Sequence, residues 1–326
     1  MKAFAMQGLA LAAMLACGTA SQAQSSVQVY GLIDVALAYD KQPGKAGVTG
    51  VENGKMTTSY LGLKGSEDLG GGLSTIFALE SYFRADTGSN GRFDGDGFWT
   101  RSSYVGLQGR FGSVRLGRNS VPLFISTLLF NPFGDSFGYS PSIRHYFASG
   151  TVTGDSGWSD SIAYVSPNFS GLTVNLIAAA GEGNGGPNVG GSVLYTKGPL
   201  GLTAVYQRVR KGAAIADTTT WQLGSSYDFD VVKVFAQYGQ VKNVSAQPDI
   251  EYKLTDLGVA IPLGGGKVLA AYGLLDPVVG AKRETLSLGY DYNLSKRTDV
   301  YLVLMRDELD ALSAGKSLAV GIRHRF

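Results

Sequence analysis

The sequence predicts an all-β protein, a 16-stranded antiparallel transmembrane β-barrel with short turns at one rim and long loops at the other. Two-residue alternation recurs along the chain in segments of eight to twelve residues, the pattern of a strand whose two faces meet different surroundings. The connections alternate between short turns rich in Gly, Asn and Pro and long polar loops. Beyond the first 23 residues no run of 18 apolar residues occurs, so any membrane crossing is made by strands. Composition agrees: 17% of residues are charged, below the roughly 25% of a soluble domain. The 46 glycines among 326 residues are about twice the usual share.

The chain opens with a removable leader. Lys2 is followed by an apolar run from Gly8 to Cys17 and by Ser21-Gln-Ala23, the small-x-small pattern of a cleavage site. Residues 1–23 are therefore expected to be a cleaved signal peptide, and 24–326 a single barrel domain. In the first strand Val27, Val29, Ile33, Val35, Leu37 and Tyr39 share one face, with Asp34, Ala36 and Ala38 on the other. The stretch Leu73–Arg84 puts Ala78, Glu80, Tyr82 and Arg84 opposite Phe77 and Leu79. Later, Trp221, Leu223 and Tyr227 oppose Gln222, Gly224 and Ser226, and Leu286, Leu288 and Tyr290 oppose Ser287, Gly289 and Asp291. The last strand sets Leu318, Val320 and Ile322 against Ala319, Gly321 and Arg323. Helical periodicity does not compete. Seven short turns (around 66–72, 109–112, 167–171, 198–199, 230, 262–267 and 293–298) and eight long loops make fifteen connections, hence sixteen strands. The small inward residues Gly224, Gly289 and Gly321 are expected to leave the interior unfilled, as in a barrel that encloses a channel.

A soluble β-sandwich also alternates, but its polar face looks at bulk water. The regular exchange of long and short connections, and Tyr and Phe near segment ends, argue for the membrane barrel. The 28 Lys+Arg against 26 Asp+Glu leave no basic excess for nucleic acid. One cysteine and two histidines (His145 and His324) supply little for metal binding or catalysis, so no enzyme activity, cofactor or metal is expected. Asp94-Gly-Asp-Gly97 lacks the distal Glu of a calcium loop and is taken as an ordinary loop.

Several blocks, taken together and in order, resemble the Gram-negative trimeric general porins, most closely the beta-proteobacterial type. They are Val29-Tyr-Gly-Leu-Ile-Asp34, Leu61-Gly-Leu-Lys-Gly-Ser-Glu-Asp-Leu-Gly-Gly-Gly-Leu73, Ile76-Phe-Ala-Leu-Glu-Ser81, Tyr104-Val-Gly-Leu107, Gly112-Ser-Val-Arg-Leu-Gly-Arg118, Ser166-Pro-Asn-Phe169 and Val320-Gly-Ile-Arg-His-Arg-Phe326. The resemblance implies an outer-membrane channel for passive diffusion of small hydrophilic solutes and ions, with short turns periplasmic and long loops extracellular. It implies a homotrimer whose early and late strands form the shared wall, with loop 85–98 reaching toward a neighbour. Outer-membrane lipid and lipopolysaccharide surround such a barrel, and the terminal Phe326 resembles the signal read by the outer-membrane assembly machinery.

In this family the third long loop folds into the barrel. Here that loop is 119–159, and its centre Phe130-Asn-Pro-Phe-Gly-Asp-Ser-Phe-Gly138 resembles the inward-folding tip, with Asp135 at the acidic place. Opposite it, Lys64 and Glu80 face inward by periodicity and match pore-lining positions. Arg84 and Arg115 face inward by periodicity alone. Arg101 resembles a constriction arginine, although counting from Val105 and Leu107 turns it outward unless a one-residue bulge intervenes. Arg144, late in the loop, completes the expected constriction set. Tyr60 stands where many relatives carry a further arginine, which argues against strong anion selectivity.

Overall fold

The computed structural model describes residues 26–152, 155–183, 186–210, 217–244 and 249–326. The signal peptide expected over 1–23 lies outside these residues. Among the described residues seventeen strand segments follow one another. They are β1 (Ser26–Lys41), β2 (Gly47–Asn53), β3 (Tyr60–Gly70), β4 (Leu73–Tyr82), β5 (Ser102–Gly109), β6 (Gly112–Ser120), β7 (Gly157–Val165), β8 (Leu172–Ala179) and β9 (Asn188–Lys197). After them come β10 (Leu200–Val209), β11 (Thr218–Asp228), β12 (Lys233–Asn243), β13 (Ile250–Leu263), β14 (Gly266–Pro277), β15 (Arg283–Asn293), β16 (Thr298–Leu309) and β17 (Gly315–Arg325).

All segments form one antiparallel sheet, and β1 closes it by pairing with β17 from Leu32↔Arg325 to Lys41↔Lys316. β2 and β3 are two halves of one barrel strand. Both pair with β1, β2 along Val35–Lys41 and β3 along Ser26–Leu32. Sixteen staves therefore surround the lumen, as the turn count predicts. The break between the halves has a cause. Asp34, fully buried on the inner face, accepts hydrogen bonds from the backbone N–H of Met56 and of Thr57, both at 2.7 Å, and from the Tyr301 hydroxyl at 2.6 Å. These contacts draw residues 54–59 into the barrel.

Outward positions are apolar and exposed, as a hydrocarbon surface requires: Val29, Leu37, Val105, Leu223, Leu288, Leu304 and Val320 among them. Inward positions are small or polar. The expectation of an unfilled interior at Gly224 and Gly289 is corrected by the structure, because these glycines are sockets for the third loop. A Cβ at Gly224 would stand 3.0 Å from the Phe130 ring, and one at Gly289 would stand 3.3 Å from the Phe133 ring. Gly258 receives Pro132 in the same way, at 2.5 Å, and Gly273 receives Pro141 at 2.5 Å. Gly321 is filled by the Tyr301 ring.

The loop holds a helix that alternation does not reveal, α1 (Pro122–Leu129), then α2 (Pro141–Ile143) running into a wide helical turn over Arg144–Ala148. Pro122 sits in the first turn, where a missing N–H costs nothing. Leu123, Phe124, Ile143 and Tyr146 pack against Ile177, Val205, Val241 and Leu254 of the wall. Full burial of each large apolar side chain contributes roughly 1.5–3 kcal/mol, so this seam outweighs the ordering cost of a docked loop segment. Gln237 locks it further: its side-chain amide donates to the Phe130 carbonyl at 2.9 Å, and its carbonyl accepts from Gln222 at 2.6 Å.

A side chain at Gly224 must displace Phe130. Gly224→Ile should cost about 1–3 kcal/mol of docking by overpacking and leave the barrel folded. Limited proteolysis should then cut within 119–159 in the variant and spare the wild type, with unchanged β circular dichroism.

Candidate pore constriction

The docked loop divides the lumen. Toward the short-turn rim a cavity of about 600 Å³ is lined by Asp135, Thr57, Asp228, Lys233, Lys267 and Arg325 among others. Toward the long-loop rim a second, of about 670 Å³, is lined by Asp40, Lys55, Tyr139, Arg144, Arg283 and Asp307 among others. Between them lie the loop tip and the inward segment 54–59. Ser136 donates to the Lys55 carbonyl at 2.7 Å, and a Cβ on Gly138 would meet that same oxygen at 2.4 Å.

The structure brings three of the expected wall residues into one stack. Arg101 pairs with Glu80 at 2.6 Å and lies over the Tyr60 ring, 3.9 Å from its centroid. Glu80 also accepts from the Tyr30 hydroxyl at 2.6 Å, and Lys64 sits 4.6 Å over the Tyr30 ring. Arg101 faces inward, though not through a bulge. The β4–β5 register is continuous from Ser74↔Gln108 to Glu80↔Ser102, and Arg101 occupies the bend just before the strand, where alternation no longer applies. Arg115 faces the same side on β6, beside Tyr104, its guanidinium 5.0 Å from the ring.

Asp135 comes from the loop. Thr57 donates to it at 3.0 Å and accepts from Arg323 at 3.2 Å, so the loop carboxylate is joined through one hydroxyl to the wall. Tyr60 lies within electrostatic reach of Arg101, Glu80, Asp135 and Arg325 together. Arg84 and Arg144 go elsewhere. Arg84 pairs with Asp94 of its own loop at 2.5 Å. Arg144 is buried against Asp307 at 2.9 Å, fastening the loop to β16, and Arg283 reaches the same carboxylate. Asp96 is taken by Arg92 at 2.8 Å, so both carboxylates of the 94–97 stretch serve arginines.

Several residues that the sequence did not single out anchor this site. Arg323 is buried between Asp291 at 2.9 Å and Asp299 at 2.7 Å. Asp155, at the far end of the loop, binds Arg92 at 2.6 Å and Arg118 at 2.5 Å. Burial alone would raise its pKa, but hydrogen bonds and charge from these arginines hold the carboxyl below its usual range. Alternation places Arg323, Asp291 and Asp299 on the inner face, which is the signal that could have found them; Asp155, in a loop, has no such signal. His145 is buried with Nε2 2.9 Å from the Thr285 hydroxyl. Burial, and then the charges of Arg283 and Arg144, push its pKa down to about 3.

An antiparallel barrel with an apolar outer face, a charged inner face and a loop folded across its lumen defines the class of outer-membrane pore-forming barrels. The model of the family described as Gram-negative porin matches residues 9–312, and the chain belongs to that family. It is 34% identical to outer membrane porin protein 32 of Delftia acidovorans, over 96% of this chain and 98% of that one. To an outer membrane porin protein of Bordetella pertussis it is 30% identical, over 98% and 100%. The solved anion-selective porin from Comamonas acidovorans superposes with a TM-score of 0.81 at 31% identity, covering 93% of this chain and 100% of that one. An outer membrane protein of Vibrio cholerae with its loop L8 deleted shares the fold, with a TM-score of 0.73 at 15% identity. The protein is an outer-membrane porin that forms a channel for passive diffusion of small hydrophilic solutes and ions.

The lowered pKa of His145 makes loop docking depend on pH. The docked loop keeps His145 neutral, whereas a released loop takes a proton below its ordinary pKa near 6.5. Docking is therefore complete above about pH 6.5 and weakens as pH falls toward 3, by on the order of 5 kcal/mol at the limit. Protease sensitivity of loop 119–159 should rise between pH 6.5 and 4, and His145→Asn should flatten that profile.

Proposed function

We propose that passage is narrowest between Asp135 of the infolded loop and the wall stack of Lys64, Glu80 and Arg101, with Arg115 beside it. The observation that carries this is the anchoring of Asp135 through Thr57 in a lumen where Tyr60 senses both the loop carboxylate and Arg101. Opposed charges across a narrow opening set up a transverse field that orients polar solutes and biases ions. The field is modest here. Glu80 neutralises most of Arg101, and Tyr60 contributes a ring in place of a charge. The Comamonas relative is described as anion-selective; this channel takes a weaker preference. Arg84 and Arg144 act outside the eyelet, as fasteners of loops.

The working unit in this reading is a homotrimer. Phe93, Phe98 and Trp99 of the second long loop stand more than a third exposed, an apolar tip that a neighbouring barrel would cover. Residues 1–23 direct export and are removed, and Phe326 presents the chain to the assembly machinery. Lipid and lipopolysaccharide cover the faces that the trimer leaves open.

Reversal potentials across a salt gradient test the eyelet. Arg101→Ser should shift permeability toward cations and Asp135→Asn toward anions. A bias of only ~1.4 kcal/mol changes an ion ratio tenfold, and both shifts should shrink at 1 M salt, where the Debye length is about 3 Å. If neither substitution moves the potential, these residues do not line the narrowest point. Chemical cross-linking in mild detergent should give a threefold mass; a sharp monomer in light scattering contradicts the trimer.

A further inference from the structure

The inner face of β4–β8 and the near side of α1 enclose a recess of about 290 Å³, lined by Tyr104, Arg115, Pro122, Ile125, Ala163 and Ile177 among others. It lies on the short-turn side of α1, because Arg115 comes early in β6, just after the 109–112 turn. Small residues make the space. Arg115 stands opposite Gly106 on β5 and Ala163 on β7. Its stem lies over bare backbone at Gly106, where a Cβ would stand 3.2 Å from the Arg115 Cγ, and its guanidinium ends 5.0 Å from the Tyr104 ring. That guanidinium is uncommitted. Arg101, Arg144, Arg283 and Arg323, which also face the interior, each pair with a carboxylate. Among the described residues Arg115 has no ion pair, and its Nε is buried without a hydrogen-bond partner. Glu80 lines the same recess but is taken by Arg101 and the Tyr30 hydroxyl, both at 2.6 Å.

A guanidinium offers parallel N–H donors that match the two oxygens of a carboxylate. The rest of the recess has a different chemistry. Pro122, Ile125, Ala163 and Ile177 form an apolar wall, which rewards the removal of hydrocarbon from water and gives nothing to a hydrated inorganic ion. One charged donor beside an apolar wall selects an acid with an apolar body. Cavities that hold drug-sized ligands run from roughly 300 to 1,000 Å³, so this one suits a single ring or a short branched chain.

We propose that this recess is a binding subsite for a small apolar-bodied monocarboxylate of about the size of benzoate. The carboxylate takes the Arg115 guanidinium, and the body lies against Ile125, Ala163 and Ile177. Such a solute is held beside the passage, and its apolar part, which the eyelet charges cannot read, decides how well it is held. The inference rests on the reading of the eyelet given above, with the recess opening next to it.

The test titrates the full-length barrel in mild detergent with benzoate and with acetate, read by saturation-transfer NMR on samples with wild-type β circular dichroism. Wild type should half-saturate with benzoate at a concentration at least tenfold below that for acetate. Arg115→Gln should raise the benzoate value at least tenfold. Ala163→Leu, which fills the recess and keeps the guanidinium, should bring benzoate to the level of acetate. Equal values for the two acids in wild type, or an Arg115→Gln variant that binds benzoate as before, overturns the proposal. So does Ala163→Leu with wild-type benzoate binding, which would mark a plain anion contact. Reversal potentials of Arg101→Ser and Asp135→Asn separate this site from the eyelet. If they do not move while benzoate binds as expected, the eyelet assignment falls and the subsite stands; if they move while the two acids bind equally, the subsite alone falls.

Discussion

The structure depends on how an inward-folded loop can lie flat against a wall of strands inside a closed barrel. Sheet closure through β1 and β17 satisfies the backbone but leaves a lumen too wide to discriminate. Bare backbone at Gly224, Gly258, Gly273 and Gly289 lets Phe130, Pro132, Phe133 and Pro141 approach to van der Waals contact. Close packing then does what loop sequence alone cannot, because dispersion and burial act only at such distances. The loop becomes part of the wall, and its carboxylate is presented at a fixed place.

Polar anchors act where apolar packing ends. Asp34 gathers Met56, Thr57 and Tyr301 around one buried carboxylate, and the segment it holds supplies Thr57 to Asp135. Asp307 holds Arg144 and Arg283, and Asp155 holds Arg92 and Arg118, at different parts of the same loop. Removing one partner of such a pair leaves a buried charge uncompensated, which costs about 3–5 kcal/mol. The loop is thus fastened in its later half by these pairs and pressed down in the middle by packing, and the charges that solutes meet are the few left facing the passage.

Much of this was legible in the sequence. Alternation set Asp34, Glu80, Arg115, Asp291 and Arg323 inward because a side-chain period of two is a local property. It failed at Arg101, where the strand has not yet begun, and at α1, which is short and buried on several sides within the barrel. Partners are the harder problem. Asp34 and Met56 are 22 residues apart, Arg144 and Asp307 are 163 apart, and nothing local says that either pair meets. Glycine misled for a related reason: Gly224 and Gly289 read as open space, since the rings that occupy them come from a distant loop.

Cysteine labelling of the loop tip tests this account most directly, because the only cysteine in the sequence is Cys17, within the expected signal peptide. Asp135→Cys, reconstituted in a planar bilayer and exposed to a bulky water-soluble thiol reagent, should show discrete falls in current as each barrel is labelled. Thr203→Cys, on the wall beside Gly224 and Phe130, should remain unlabelled with its current unchanged. Rapid labelling at position 203, or labelling at position 135 without any fall in current, would contradict a loop docked across the passage.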